Sequence, residues 1–132
     1  MIEKTAEVLD YLQCGMDPTM IVGDLSSGDK KMVEIAKGLL FQRKVIILDE
    51  PTASFSVSDI DHLLEIVRVI KNKGIGIIYI SHHLDEVFKI ADRITVIRDG
   101  EKVSTYNSEN IDEQTLIKDM VGRDASTFYK RE

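Results

Sequence analysis

The sequence predicts an α/β fold in which a parallel sheet with flanking helices is followed by a C-terminal β-hairpin. Two short apolar runs, 45–48 and 75–80, alternate with segments whose apolar residues recur every three or four positions. Continuous apolar runs of this length are typical of parallel strands that are buried on both faces. Between the later extended segments 93–98 and 102–106, Asp99-Gly100 is a dipeptide that favours a tight hairpin turn.

Five helices are predicted around these strands. The first begins at a Thr5 cap and ends near Gly15, and the second begins after Ser26 and buries one apolar stripe. The third begins at Ser58 and ends at Gly74, because glycine is common at the end of a helix. Two more helices are predicted over 84–91 and 112–121, and the tail that follows has no regular pattern.

The composition predicts one globular domain over residues 1–132. Hydrophobic residues make up 43% and charged residues 30% of the chain, which excludes a disordered or collagen-like protein. The net charge of -6 gives no electrostatic footprint for a nucleic-acid backbone. The single Cys14 cannot form an internal disulfide, and no apolar run is long enough to span a bilayer. We therefore expect a cytoplasmic protein that reaches a membrane only through partner subunits.

Two adjacent carboxylates, Asp49 and Glu50, follow the first predicted strand. In open α/β sheets, ligands collect at the carboxyl ends of the strands. One such acid can hold a hard cation such as Mg²⁺ while the other polarises an attacking water. Solvation of a strand end is the simpler explanation of an isolated Asp-Glu pair, so the neighbouring motifs decide between the two.

Two further polar segments lie where an element ends and a helix begins. Ser26, Ser27 and Gly28 open the second helix, where hydroxyls and free backbone N–H groups suit a phosphate. Simple capping by Ser26 is the alternative. His82 follows the second strand and could hydrogen-bond a phosphate oxygen or a water, or could be an exposed polar residue.

Together and in this order, these motifs resemble those of the ATP-binding cassette (ABC) ATPases. Residues 25–29 resemble the signature motif, residues 45–50 the Walker B strand, and His82 the switch histidine. The segment that resembles the D-loop consists of Ala53, Ser54, Phe55 and Ser56. Within the family, four stretches resemble the first cassette of tandem-cassette sugar importers, such as those for ribose or galactose: residues 32–39, 78–82, 94–100 and 120–123.

The resemblance implies a role for each motif residue. Asp49 would position Mg²⁺, Glu50 would be the general base toward the hydrolytic water, and His82 would sense the γ-phosphate. The signature residues would contact ATP held by a second cassette, and membrane permease subunits would be the other partners. These signature residues are Ser26, Ser27, Gly28 and Asp29. Three positions depart from the usual pattern: Ser27 stands where Gly is frequent, Asp29 replaces Gln, and Ser56 replaces Asp.

The 132 residues contain no G-x-x-x-x-G-K-[ST] sequence, so the Walker A half of a P-loop NTPase-like sheet is missing from them. We expect the C-terminal half of an ABC ATPase domain, with a helical and signature region at 1–42, a Walker B and switch-histidine region at 43–123, and a loose tail at 124–132. Removing the P-loop strand should expose the faces of Ile46, Ile78 and Ile80 and favour self-association.

Two functions remain open at this point. The chain could be part of the ATP-hydrolysing subunit of a monosaccharide importer, inactive as an isolated chain. Alternatively, it could be a non-catalytic remnant or interaction domain that offers only its signature face to a partner. ATP and Mg²⁺ are expected only together with a P-loop-bearing partner or an intact domain, at the inner face of the plasma membrane.

Overall fold

Helices and strands alternate along the chain in the computed structural model, which describes residues 2–41, 43–53 and 55–122. The fold is mixed α/β, as predicted. A parallel sheet pairs the first two strands, and an antiparallel sheet pairs the last two. The elements are α1 (Ile2–Tyr11), α2 (Ser27–Leu40), β1 (Val45–Asp49), α3 (Val57–Asn72), β2 (Gly76–Ile80), α4 (Leu84–Ile90), β3 (Arg93–Arg98), β4 (Glu101–Asn107) and α5 (Glu113–Val121), with short 3-10 turns at Val22–Asp24 and Ser108–Asn110.

Contacts within the chain divide it into two compact units, Met1–His82 and His83–Glu132. The first unit contains α1, α2, β1, α3 and β2, and the second contains α4, β3, β4 and α5. The predicted loose tail at 124–132 and the D-loop residue Ser54 lie outside the described residues. Among the helices that are described, none has the length and apolar character needed to cross a membrane.

The starts of α2 and α3 agree with their predictions to different degrees. Ser26 is the N-cap of α2, as predicted, and its side chain accepts a hydrogen bond from the Asp29 N–H. Helix α3 begins at Val57 instead of Ser58, because Ser56 and Asp59 form a reciprocal capping box. The S-x-x-D spacing in the sequence could have revealed this start.

Helix α1 begins at Ile2, so Thr5 is not its cap, and it ends at Tyr11, before the predicted end near Gly15. Gln13 and Gly15 both have positive φ angles, 52° and 62°, which interrupts the helical path. Leu9 and Leu12 are nevertheless buried, as the periodicity indicates.

One face of the parallel sheet is exposed, contrary to the prediction that both strands are buried on both faces. The register pairs Ile47 with Ile78, and these side chains are 62% and 50% exposed. Val45 and Ile80 lie on the same face and are also exposed. Successive side chains of a strand point to opposite sides, so Ile46 lies on the other face and is half-buried. The predicted exposure is therefore confirmed for Ile78 and Ile80 and wrong for Ile46.

The second unit is built on the predicted hairpin. Asp99 and Gly100 have φ angles of 52° and 80°, which are the positive values that a type I′ turn requires at both central positions. Strand β3 contributes Ile94 and Val96 to a small core with Leu116 of α5. The burial of these three side chains holds α5 against the hairpin.

A carboxylate on α5 links this helix to β4. Asp119 Oδ2 accepts hydrogen bonds from Ser104 Oγ at 2.6 Å and from the Tyr106 hydroxyl at 2.9 Å. These bonds, with the one from Ser104 the stronger, lower the pKa of Asp119, because they stabilise the charged form. The Arg98 guanidinium donates to the Asp119 carbonyl oxygen at 2.7 Å.

We predict that Asp119 makes the stability of the chain depend on acid pH. Because its folded-state pKa is lowered, its contribution is complete above the unfolded-state value of about 3.9 and is lost as the pH falls through the folded-state pKa. Urea unfolding at a series of pH values should therefore show Asp119→Asn less stable than the wild type at pH 7, with the difference shrinking toward pH 2. Asp10→Asn, which removes an exposed carboxylate on α1, is the control. A difference that stays constant from pH 7 to pH 2 would contradict the prediction.

We also predict that the exposed sheet face drives self-association. Ile47→Lys should shift the chain toward the monomer in size-exclusion chromatography with light scattering, because it places a charge in the centre of the apolar face. Ile97→Lys is the matched control, since Ile97 is 69% exposed on β3. A wild-type chain that is a monodisperse monomer at millimolar concentration would show that this face does not self-associate.

Candidate functional site

The two predicted carboxylates lie at the carboxyl end of the parallel sheet. Asp49 is the last residue of β1 and is exposed, and its partner across the register is Ile80. Glu50 follows with a φ angle of 41°, an unusual value for a residue with a side chain. Its N–H donates to the Ile80 carbonyl oxygen at 2.9 Å, so the chain turns immediately after β1 while still bonded to β2.

This turn brings Glu50 to His82, 32 residues further along the chain. Glu50 Oε1 lies 2.8 Å from His82 Nδ1, which is a hydrogen bond between the two predicted catalytic residues. His82 is largely exposed and Glu50 is only partly so. The sequence placed both residues at strand ends, but only the structure shows that they contact each other.

The second carboxylate oxygen of Glu50 is buried. Within the described part of the chain, Glu50 Oε2 has no hydrogen-bond partner. A buried polar atom without a partner is costly, so such an atom in a native site indicates a water, an ion or a ligand group. Carboxylate oxygens are the ligands that Mg²⁺ prefers, and Asp49 supplies a second carboxylate next to Glu50 in the chain. The unpartnered Glu50 Oε2 is therefore an oxygen of the kind that a hard divalent cation prefers.

The signature-like segment begins α2, and its hydroxyl is engaged within the segment. Ser26 Oγ donates to Asp29 Oδ2 at 2.7 Å and accepts from the Asp29 N–H at 3.1 Å. The capping role that was the alternative for Ser26 is thus present. The Asp29 carboxylate places a negative charge in the first turn of α2, where it complements the helix dipole and opposes a second anion. Burial raises the pKa of the Cys14 thiol, and the charge of Asp29 adds to this effect.

Gly28 lies beside the D-loop-like segment. A Cβ built on Gly28 would lie 3.5 Å from the Phe55 ring, which is an ordinary van der Waals distance. Two sequence-predicted motifs of the same chain, residues 25–29 and 53–56, therefore meet through Gly28 and Phe55. No local signal in the sequence could have revealed this contact.

Backbone hydrogen bonds of Ala53 and Phe55 turn the chain between β1 and α3. The Ala53 N–H donates to the Glu50 carbonyl oxygen at 3.4 Å, and the Phe55 N–H donates to the Thr52 carbonyl oxygen at 3.0 Å. Ser56 then caps α3 through Asp59, and its hydrogen bonds lower the pKa of the Asp59 carboxyl. Serine and aspartate are both preferred N-caps, which is a physical reason why serine is tolerated here.

Solved structures place this architecture among the ATP-binding cassettes. One neighbour is a nucleotide-free ATP-binding cassette from an ABC transporter, with a TM-score of 0.76 and 26% identity over 98% of this chain and 50% of its own. Another ATP-binding cassette of an ABC transporter superposes with a TM-score of 0.77 and 27% identity, over 92% of this chain and 50% of its own. The fold is thus that of P-loop NTPase-like cassettes.

The sequence comparisons agree with this class. The family model described as "ABC transporter" matches residues 2–53. The ribose import ATP-binding protein RbsA of Lacticaseibacillus paracasei is 46% identical over 98% of this chain. The galactose/methyl galactoside import ATP-binding protein MglA of Clostridium tetani is 40% identical over 98% of this chain. The chain belongs to the ABC transporter family, and it spans 26% of the length of each of these two relatives.

We predict that the hydrogen bond to Glu50 fixes the tautomer of His82. An ionised carboxylate can only accept, so His82 must carry its proton on Nδ1 when the ring is neutral. Two-dimensional ¹H–¹⁵N spectra of the imidazole at pH 8 should show mainly the Nδ1–H tautomer in the wild type and a larger share of the Nε2–H tautomer in Glu50→Gln. Glu109→Gln should leave the His82 signals unchanged, and His62 serves as an internal reference. A neutral His82 that is mainly Nε2-protonated in the wild type would contradict the observed contact.

Proposed function

We propose that this chain is part of the ATP-binding and ATP-hydrolysing subunit that energises an ABC importer for a monosaccharide such as ribose or galactose. The observation that carries the proposal is the Glu50–His82 hydrogen bond of 2.8 Å at the carboxyl end of the parallel sheet. The names of the relatives, which are ribose and galactose import ATP-binding proteins, support the choice of a monosaccharide.

In this proposal, Glu50 is the general base toward the hydrolytic water. Its buried Oε2 has no hydrogen-bond partner among the described residues, and its Oε1 is hydrogen-bonded to His82. Holding a carboxylate in one orientation favours proton abstraction from a water placed beside it. His82 would respond to the terminal phosphate through the same hydrogen bond, and Asp49 would hold Mg²⁺. The metal would supply charge neutralisation on the phosphate oxygens.

The signature-like segment would act on a nucleotide bound by a second cassette. Ser26, Ser27 and Gly28 offer hydroxyl and N–H groups at the start of α2, and Phe55 supports Gly28 from the D-loop-like segment. Asp29 opposes this role, because its carboxylate already bonds Ser26 and would repel a phosphate. We therefore expect this face to engage ATP less tightly than a segment with an uncharged residue at position 29.

The proposal requires a P-loop from outside these 132 residues, which contain no G-x-x-x-x-G-K-[ST] sequence. The coverage of solved cassettes, 98% of this chain against 50% of theirs, supports the interpretation of the chain as the C-terminal half of an ABC ATPase domain. Its partners would be a P-loop-bearing segment, a second cassette and membrane permease subunits, which would keep it at the cytoplasmic side of the plasma membrane.

A chimera tests the proposal. The segment of the L. paracasei relative that aligns with this chain is replaced by this chain, and ATP hydrolysis is measured in the complete protein. We expect hydrolysis in the chimera and a loss of about hundredfold to ten-thousandfold in kcat for Glu50→Gln, with ATP binding retained, because a general base contributes this much. Glu109→Gln, in a 3-10 turn of the second unit, is the matched control and should keep the full rate.

Two outcomes would favour the alternative of a non-catalytic remnant or interaction domain. One is a folded chimera that binds ATP but does not hydrolyse it. The other is a chimera whose rate is the same with glutamine at position 50. The isolated chain should show no turnover with Mg-ATP, and measurable turnover by it would overturn the claim that a P-loop from another segment is needed.

A further inference from the structure

An open cavity of about 570 Å³ lies in the first unit, at the opposite end of the parallel strands from Asp49 and Glu50. It is lined by residues of α1, the end of α2, and the segments that lead into β1 and β2. Each strand has five residues, which separates its two ends by about 13 Å at the usual rise. The cavity is therefore distinct from the site at the carboxyl ends of the strands.

The cavity concentrates positive charge in a chain that is negative as a whole. Arg43, Lys44 and Lys73 line it, and Glu7 is the one acidic residue in the lining, whereas the complete chain has a net charge of -6. Three cations around one concave surface raise the local concentration of anions, most strongly at low ionic strength. The charge of this cavity thus favours an anionic ligand.

Two of the cations are held in place by aromatic rings. The Lys73 ammonium lies 3.5 Å from the centroid of the Tyr11 ring, and the Arg43 guanidinium lies 5.7 Å from the centroid of the Phe41 ring. Cation–π contacts restrict long side chains that would otherwise lose conformational entropy on binding a ligand. The Lys44 backbone is also fixed, because its carbonyl oxygen accepts from the Gly76 N–H at 2.9 Å.

The rest of the lining is apolar. Val8, Leu39 and Ile75 are apolar residues of the lining, and Tyr11 is its aromatic residue. A volume of this size falls within the range of pockets that hold small organic molecules, in which an apolar wall combines with a few polar groups. An inorganic anion would contact the cations and leave this apolar surface unused.

We propose that this cavity binds a small organic anion that joins a phosphate group to an apolar body. Arg43, Lys44 and Lys73 would contact the phosphate, and Leu39 and Ile75 would contact the apolar body. This binding does not depend on ATP hydrolysis at Glu50, so it can be tested separately from the proposed function.

The experiment uses the full ¹⁵N-labelled chain and 1-naphthyl phosphate as the probe, with binding followed by amide chemical shifts. We expect the largest shifts at Lys44, Gly74 and Ile75, and weaker binding at higher salt. Arg43→Gln and Lys73→Gln should each raise the dissociation constant about tenfold, the effect of losing one charge-assisted hydrogen bond. Lys102→Gln, which removes the same charge from exposed β4, and Ile47→Lys, which alters only the exposed sheet face, should leave it unchanged within about twofold.

Three results would overturn the proposal. The first is equal binding of the neutral 1-naphthalenemethanol, which would show that charge is irrelevant. The second is equally tight binding of inorganic phosphate, which would remove the role of the apolar lining. The third is a dissociation constant that changes with Ile47→Lys and stays constant in Arg43→Gln and Lys73→Gln, which would place the probe on the sheet face. Amide spectra of each variant establish that it is folded before the titration.

Discussion

The parallel pairing of β1 with β2 is the interaction on which the rest of the first unit depends. Five consecutive residue pairs, from Val45 with Gly76 to Asp49 with Ile80, set the register. The hydrogen bond from the Glu50 N–H to the Ile80 carbonyl oxygen extends this pairing by one residue at 2.9 Å. Glu50 and His82 therefore follow β1 and β2 at the same, carboxyl end of the sheet, where they can contact each other. A shift of the register by one residue would reverse the faces of every side chain on β1 and separate this pair.

Local signals in the sequence were sufficient for the elements that depend on local chemistry. The cap of α2 at Ser26 and the Asp99-Gly100 turn each rest on residues within a few positions of one another, and both are confirmed. The cap of α3 was missed by two residues although Ser56 and Asp59 have the same spacing as Ser26 and Asp29. That error came from the interpretation of the sequence, since the S-x-x-D pattern was present in it.

Burial of the sheet could not be predicted in the same way. A run such as Val45 to Leu48 indicates that both faces are apolar, but it does not tell which neighbouring element covers each face. In the described part of the chain, Leu48 is buried at 5% exposure and Ile47 remains 62% exposed. The two faces of one strand are thus chemically similar and structurally different. This chain matches 50% of the length of each of the two solved cassettes.

The candidate site shows the same division between local and non-local information. The strand-end positions of Asp49, Glu50 and His82 followed from the sequence. The contact between Glu50 and His82 did not, because it joins residues that are 32 positions apart. The cation-lined cavity was not foreseen, because its three cations are exposed and Lys73 lies far along the chain from Arg43 and Lys44. The strand pairing brings them to the same end of the sheet.

The same pairing gives the two ends of the sheet opposite electrostatic character. Asp49 and Glu50 follow β1 at one end, whereas Arg43 and Lys44 precede it at the other. Carboxylates at the carboxyl end suit a cation, and basic side chains at the amino end suit an anion. Because both ends are fixed by one five-residue register, a change that loosens β1 against β2 would disturb both sites together, while a change in a single side chain at one end would leave the other intact.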